Sequence, residues 1–298
     1  MIASRKVRLG QPILVLVLTA FMSACFLPVL LIIIASFSAE ASINARGFSF
    51  IPSEWSLTAY EYVFRFGNQL VRSYQVTAFV TILGTFLTLL LTSMFAFSLS
   101  RKDFMLRGPL AIFLLITMLF NGGMLGSYLV NSNIFRLRNN ILVLFLPRAV
   151  TAINCIIMRT FIKSNLPDSL VEAAKIDGAD DIFIFFRIAI PVMTPVLAAI
   201  GFIASVDLWN EWQAALLYID EPNLATLQQM LMRIENNLNF MRQNLTNLTT
   251  EELLWLRNAP SESARMALLM CTLGPILVIY PFFQKYFIRG ITIGAVKG

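Results

Sequence analysis

The sequence predicts an all-α membrane protein with six transmembrane helices, and three observations carry that prediction. Hydrophobic residues make up 57% of the 298 residues and charged ones only 13%, with a mean hydropathy of +0.73. A soluble domain carries about 25% charged residues. Uncharged runs such as 9–39 and 73–100 also recur at or beyond the roughly 20 residues that a helix needs to cross a bilayer core. Finally, lysine and arginine favour one set of alternate loops, thirteen against nine, in the sense of the positive-inside rule, although Arg136 and Arg138 run against it.

Taken in order, Arg5, Lys6 and Arg8 precede a first span at 11–37. Its apolar run is about twice the roughly 7–15 residues of a signal-peptide core, so it reads as a retained helix. Met22-Ser23-Ala24-Cys25 has a faint likeness to a lipoprotein cleavage site, but the chain stays apolar to Ala35. A mixed segment with Trp55 follows, aromatic enough for a membrane boundary. The second span is 73–100, closed by a charged turn of Arg101, Lys102, Asp103 and Arg107. The third, 108–130, contains Asn121-Gly122-Gly123, a sequence that permits either a helix break or close packing through small residues. Arg136 and Arg138 lead to the fourth span, 140–162; the fifth is 191–217 and the sixth 266–287. Between the last two lies an outer loop, 218–265, with helix-like pieces at 224–234 and 251–256. A tail, 288–298, completes a single transmembrane domain, 1–298.

Orientation follows from the cations. The N-terminus, the Arg101 turn, the Arg159–Arg187 segment and the C-terminal end from Lys285 on carry three, three, four and three, thirteen in all. The other side has nine in longer loops, which puts both termini in the cytoplasm.

Composition also excludes. Histidine is absent, which removes imidazole catalysis and histidine metal sites. Cys25, Cys155 and Cys271 lie in apolar runs without CxxC spacing and read as small hydrophobes. No Gly-Lys dipeptide occurs, so the phosphate-binding loop is missing, and ATP, if it drives this protein, is bound elsewhere. No basic run is long enough for nucleic acid.

The stretch with most information is the charged one between the fourth and fifth spans, 163–190, and in particular Asp168 to Pro191. Leu170, Val171, Ala174 and Ile176 share a broad helix face, with Glu172, Lys175 and Asp177 largely off it. Gly178, able to adopt a left-handed backbone, is a natural corner. Pro191 suits the first turn of the next helix. The reading is a short helix, a glycine bend, a second short helix and then a span. Glu172-Ala173-Ala174, three residues, Gly178, nine residues, then Ile188-Ala189-Ile190-Pro191 resembles the EAA loop of the permease subunits of ABC importers. Only Ile190 departs from that pattern, which has Leu there.

That resemblance implies the type I ABC importer permease fold, with the loop in the cytoplasm and its short helix docked in a cleft of a separate ATPase. Glu172, Ala173, Ala174, Asp177, Gly178, Ile190 and Pro191 would carry the coupling. Pro191-x3-Pro195 and Trp209-Asn210-Glu211 resemble the maltose-importer type of carbohydrate permease. Phe120-Asn-Gly-Gly and the Asn-rich outer loop resemble its complex-oligosaccharide subgroup. The C-terminal G-x-T-x-G-A-V-K-G resembles that family's tail, which implies that Gly290, Thr292, Gly294 and Lys297 reach between two ATPase subunits. The implied function is import of a sugar or oligosaccharide, with no chemistry and no cofactor in this chain, ATP and Mg being bound by the partner. The implied partners are a second, different permease, two ATPase subunits, an extracellular solute-binding protein and membrane lipid.

Candidate substrate contacts are Arg148, Asn121, Trp209, Asn210 and Glu211. Arg148 falls about nine residues into the fourth span, where a lipid-facing Arg costs about 2.5–3.5 kcal/mol, so it should face a cavity or a carboxylate. Trp209 to Glu211 should lie near the outer face, where aromatic residues also serve as interface anchors. The rival reading is a stand-alone secondary transporter or channel. A lone mid-span Arg is a poor ion relay for one.

Overall fold

A computed structural model of the chain describes residues 10–65, 67–120, 122–243 and 262–277. These are helices and connecting turns, and the one β feature among the described residues is an isolated bridge between Ser38 and Trp55. Helices dominate because hydrocarbon offers no partner to a backbone N–H or C=O, so each apolar segment must satisfy its own. The chain divides into two units, one drawn from Met1–Gly67 and Arg233–Gly274, the other from Asn68–Met232 and Pro275–Gly298.

The first unit holds α1 (Gly10–Ser36), α2 (Glu40–Arg46) and α3 (Thr58–Phe64). The apolar window of α1 is unburied, and Leu16, Phe21 and Met22 stand open as lipid-facing side chains would. The described residues 262–277 are helical, and Glu40 caps their start. Its carboxylate accepts from the backbone N–H of Glu262 (3.1 Å) and Ser263 (3.0 Å) and from the Ser263 hydroxyl (2.8 Å). An anion there meets the positive end of the helix dipole.

The second unit holds α4 (Gly67–Ser100), α5 (Arg107–Leu119), α6 (Gly123–Leu129), α7 (Ala152–Asn165), α8 (Asp168–Ile176), α9 (Asp181–Phe183), α10 (Ile190–Trp209) and α11 (Gln213–Tyr218). α12 (Leu227–Gln243) follows. The core packs Phe97 of α4 and Met158 and Ile162 of α7 against Phe185, Met193 and Ile200. Among the described glycines, Gly84 marks the tightest approach. A Cβ there would lie 2.7 Å from Leu208 Cδ1 and 2.8 Å from Phe145 Cβ.

Several boundaries differ from those the sequence suggests. α4 begins at Gly67 rather than 73, because Gln69 and Arg72 bond to the carbonyls of Pro222 (2.7 Å) and Asn223 (3.2 Å) and extend the helix past its apolar run. The third span is not one rod. α5 stops at Leu119, and α6 starts at Gly123 with a left-handed φ of 72° and runs into a π-helical turn, Val130–Ile134. Asn121 lies outside the described residues.

The fourth span is α-helical only in its second half. Ile141–Leu144 and Leu146–Arg148 are 3-10 turns, and α7 leaves them at a bend of 49°. Pro147 lacks the N–H and the clearance that an α-helix would need there.

The fifth span starts well before Pro191. Asp181–Trp209 is one helical run of 29 residues, and Ile184–Ala189 within it is π-helical. The Pro191 ring would clash with the carbonyl four residues back, and the wider turn just before it makes room. Pro195 likewise leaves the Pro191 carbonyl without its usual donor, and the Thr194 hydroxyl supplies one at 2.9 Å. The run ends at Trp209, so 210–217 is a turn followed by α11 rather than more span. In the outer loop, α12 extends the expected 224–234 piece to Gln243, while the piece at 251–256 falls outside the described residues.

Candidate functional site

Two sites emerge, one at each end of α10. At its N-terminal end, α8 lies across the ends of α4 and α7. Val171 is its one fully buried residue, 1% exposed, set among Ile162, Leu166 and Ile184. The Arg101 turn clamps both ends of the helix. Lys102 meets Asp168 at 2.7 Å, and Lys175 meets Asp103 at 2.7 Å and Asp181 at 3.2 Å. The sequence showed the charges of this turn but not their partners, which lie more than sixty residues away.

Gly178 turns the corner with φ 85°, a left-handed conformation that costs any side chain with a Cβ. The Ala179 N–H bonds back to the Ala174 carbonyl at 2.9 Å, and Asp180 caps α9 through the Phe183 N–H at 2.8 Å. A groove of about 840 Å³ is left open, floored by Ala173, Ala174 and Gly178 and flanked by Leu170, Phe183 and Ile188. Glu172 and Asp177 are exposed beside it; Ile190 and Pro191 lie one turn further, in the helix that carries the corner. The site is a small-residue recess beside exposed acids, on a helix pinned to the spans by packing and charge.

The clamp has a defined pH window. The Lys175 hydrogen bond holds the Asp103 carboxyl at about 2 against burial, and Lys102 draws Asp168 below its ordinary value. Asp103 first, then Asp181, raises Lys175. A depressed carboxyl contributes stability that is present above its ordinary 3.8 and lost as pH falls toward 2. A raised lysine contributes stability that is present below 10.5 and lost as pH rises through its folded value. The amide protection factors of 168–176, with the intrinsic pH dependence of exchange divided out, are therefore expected to be flat across the neutral range and to fall only below 3.8 or above 10.5.

The second site lies at the other end of α10. Arg148, closing the 3-10 turns, forms an ion pair with Glu211. The Glu211 side chain is 4% exposed and that of Arg148 53%. Glu211 Oε1 also accepts the Ala214 N–H at 2.6 Å, and the Thr226 hydroxyl donates to its backbone carbonyl at 3.2 Å. Both residues line a cavity of about 450 Å³ with Asn131, Ser127, Gln213 and Tyr218. Asn131, buried by the π turn, donates to the Tyr218 hydroxyl at 3.2 Å, and the Tyr218 ring stacks on Tyr128 at 5.6 Å.

The floor beneath is tightly held. Buried Gln229 donates to the carbonyls of Ala215 and Ile219, both at 2.8 Å, closing the end of α11. Asn139, itself at φ 53°, accepts from the Asp220 N–H at 2.7 Å, and Arg138 pairs with Asp220 at 2.9 Å.

Arg148 is therefore level with the C-terminal end of α10, not midway along a regular fourth span. The 3-10 turns before it meet α7 at a bend of 49°, so counting residues along one straight α-helix does not give its depth. Of the other candidates, Trp209 is buried against Tyr74, ring centres 6.5 Å apart, and lines a separate apolar groove with Phe86 and Phe202. Asn210 accepts from Gln228 at 3.0 Å and serves to join α10 to α12. Sequence reasoning missed Asn131, Tyr218 and Gln213, which carry no local pattern. Gly290, Thr292, Gly294 and Lys297 lie outside the described residues.

A bundle of apolar helices, an exposed helix clamped across their ends and a polar cavity at the far end define a membrane transport protein, with no phosphate-binding loop of its own. Residues 108–293 match the family of binding-protein-dependent transport system inner membrane components, and the chain belongs to that family. It is 35% identical over 281 residues to the polygalacturonan/rhamnogalacturonan transport system permease protein YtcP of Bacillus subtilis (strain 168), covering 94% of this chain and 96% of that protein. It is 37% identical over 274 residues to protein LplC of the same organism, covering 91% and 89%. The fold matches a chain in the crystal structure of a bacterial ABC transporter involved in the import of the acidic polysaccharide alginate. The TM-score is 0.80 at 27% identity, over 96% of this chain and 99% of that one.

The protein is thus a multi-pass inner-membrane permease of an ABC importer, with a type I permease fold. It is a transport subunit rather than an enzyme, working with a separate ATPase and a substrate-binding protein.

Proposed function

We propose that this chain forms half of the membrane pathway of an ATP-driven importer of oligosaccharides, acidic ones in particular. The observation that carries the reading is the clamped α8 with its open recess at Ala173, Ala174 and Gly178, the form a docking element for a moving partner requires. Glu172, Asp177 and the recess contact the ATPase, and Ile190 with Pro191 passes the movement into α10. The tail, through Gly290, Thr292, Gly294 and Lys297, reaches between two ATPase subunits. A second, different permease completes the pathway, and an extracellular binding protein delivers the sugar to it, with both termini of this chain in the cytoplasm. ATP and Mg belong to the partner. The acidic class is supported by two of the similar proteins, one named for polygalacturonan and rhamnogalacturonan, the other for alginate.

The test is affinity purification from the native membrane with mass spectrometry, followed by uptake of oligogalacturonides into proteoliposomes. A second permease, an ATPase and a sugar-binding protein, together with ATP-dependent uptake, is the expected result. Recovery of this chain alone, transporting without ATP, would overturn it in favour of a secondary transporter.

A further inference from the structure

The cavity at the end of α10 is built from backbone that is not α-helical. A π turn brings in Asn131, 3-10 turns bring in Arg148, and the corner after Trp209 brings in Glu211. Irregular backbone within a membrane bundle is tolerated where it is buried in protein or lines a water-filled cavity, and π turns concentrate at functional sites. At about 450 Å³ the cavity falls within the range of small-molecule sites, roughly 300–1,000 Å³. A second cavity of about 730 Å³ continues it, sharing Ser127, Asn131 and Pro147.

We infer that Arg148 reads the carboxylate of an acidic sugar in this cavity, with Glu211 as the residue that positions it. The inference rests on the importer reading and adds the site and chemistry of recognition. A guanidinium presents five N–H donors in a planar fork, and one carboxylate engages at most two of them. Glu211 is the sole acid paired with Arg148 among the described residues, and it is nearly fully buried while Arg148 is about half exposed. The pair therefore buries its anionic half in the wall and turns the cationic half toward the cavity.

Glu211 is itself fixed by the Ala214 N–H, so the guanidinium is anchored on one edge and open on the other. A uronate carboxylate fits that open edge. Asn131, Ser127 and Gln213 offer amide and hydroxyl partners for ring hydroxyls, and Tyr218 supplies aromatic wall. A neutral sugar would leave the open edge of Arg148 to water, which is where discrimination arises.

The test uses the permease–ATPase assembly in nanodiscs without the sugar-binding protein, and two probes of equal length, trigalacturonate and its methyl ester, with binding measured by titration calorimetry. The acid is expected to bind at least about tenfold more tightly than the ester, the scale of one charge-assisted hydrogen-bond pair. In Arg148→Gln that ratio falls to about one. Because a lone buried Glu211 can disturb folding, Arg148→Gln/Glu211→Gln is measured beside it, and the ratio is expected to be about one there too. Equal binding of acid and ester by the wild-type importer, or a preference that survives both variants, overturns the inference. If ATP-driven uptake of a neutral oligosaccharide then persists, the importer reading stands without this site. Loss of ATP dependence for every sugar would instead remove the importer reading itself.

Discussion

Val171→Asp is expected to abolish sugar uptake while leaving the chain inserted in the membrane. Val171 is the only fully buried residue of α8, and its neighbours Ile162, Leu166 and Ile184 are all apolar. A carboxylate there has no partner within that apolar cluster, and to reach the cations of the adjoining cavity, Lys102, Arg107 and Lys163, it must leave the contact that holds α8. The cost is about 3 kcal/mol or more, of the order of the packing that holds a nine-residue helix in place. The ion pairs at Asp168 and Lys175 cannot compensate, because exposed pairs are screened by water and hold little. α8 should therefore detach, and amide exchange over 168–176 should rise well above wild type.

Leu170→Ala and Ile176→Ser make the contrast. These side chains are 45% and 86% exposed, so the isolated fold should change by about 0.5 kcal/mol or less. If α8 docks in the ATPase, they should lose ATPase co-purification with exchange unchanged. Wild-type exchange in Val171→Asp would show that α8 is not held by this contact.

The difference between these variants indicates how much was legible from sequence. The EAA spacing, the Gly178 corner and the apolar face with Val171 are local, and local pattern is what periodicity and turn chemistry report. Where the sequence misled, the cause was proline acting through a neighbouring turn. Pro191 reads as a helix start, yet the helix runs through it because Ile184–Ala189 opens into a π turn. Pro147 similarly converts what hydropathy reads as a span into 3-10 turns, and this moves Arg148 to the end of α10.

The cavity was the least legible part. Arg148 and Glu211 were each visible as candidates, and the need of an intramembrane Arg for a carboxylate was plain. Their pairing, and the presence of Asn131 and Tyr218 beside them, depends on contacts between segments more than sixty residues apart. No short-range rule encodes such contacts.

Glu211→Leu is expected to destabilise the α11 end of α10 by about 2–3 kcal/mol. Breaking a fully buried ion pair from one side costs about 3–5 kcal/mol, but Arg148 is half exposed and recovers part of that by hydration. Loss of the acceptor for the Ala214 N–H adds roughly 1 kcal/mol, within the spread of helix-cap replacements. The effect should spread to what α11 supports. Gln229 holds the carbonyls of Ala215 and Ile219, and Asn139 and Arg138 hold Asp220, so exchange over 213–230 should rise as one block. Glu211→Gln, which keeps an acceptor for Ala214 and nearly the same shape, should cost less than half as much.

The decisive comparison is Arg148→Met/Glu211→Leu, which replaces both ends of the pair by apolar groups of similar volume. Such replacements of paired charges are often neutral or stabilising. Thermal melting of the double variant in detergent should return to within about 1 kcal/mol of wild type. A double variant as unstable as Glu211→Leu alone would mean that the carboxylate acts through its backbone bond to Ala214 and not through the ion pair.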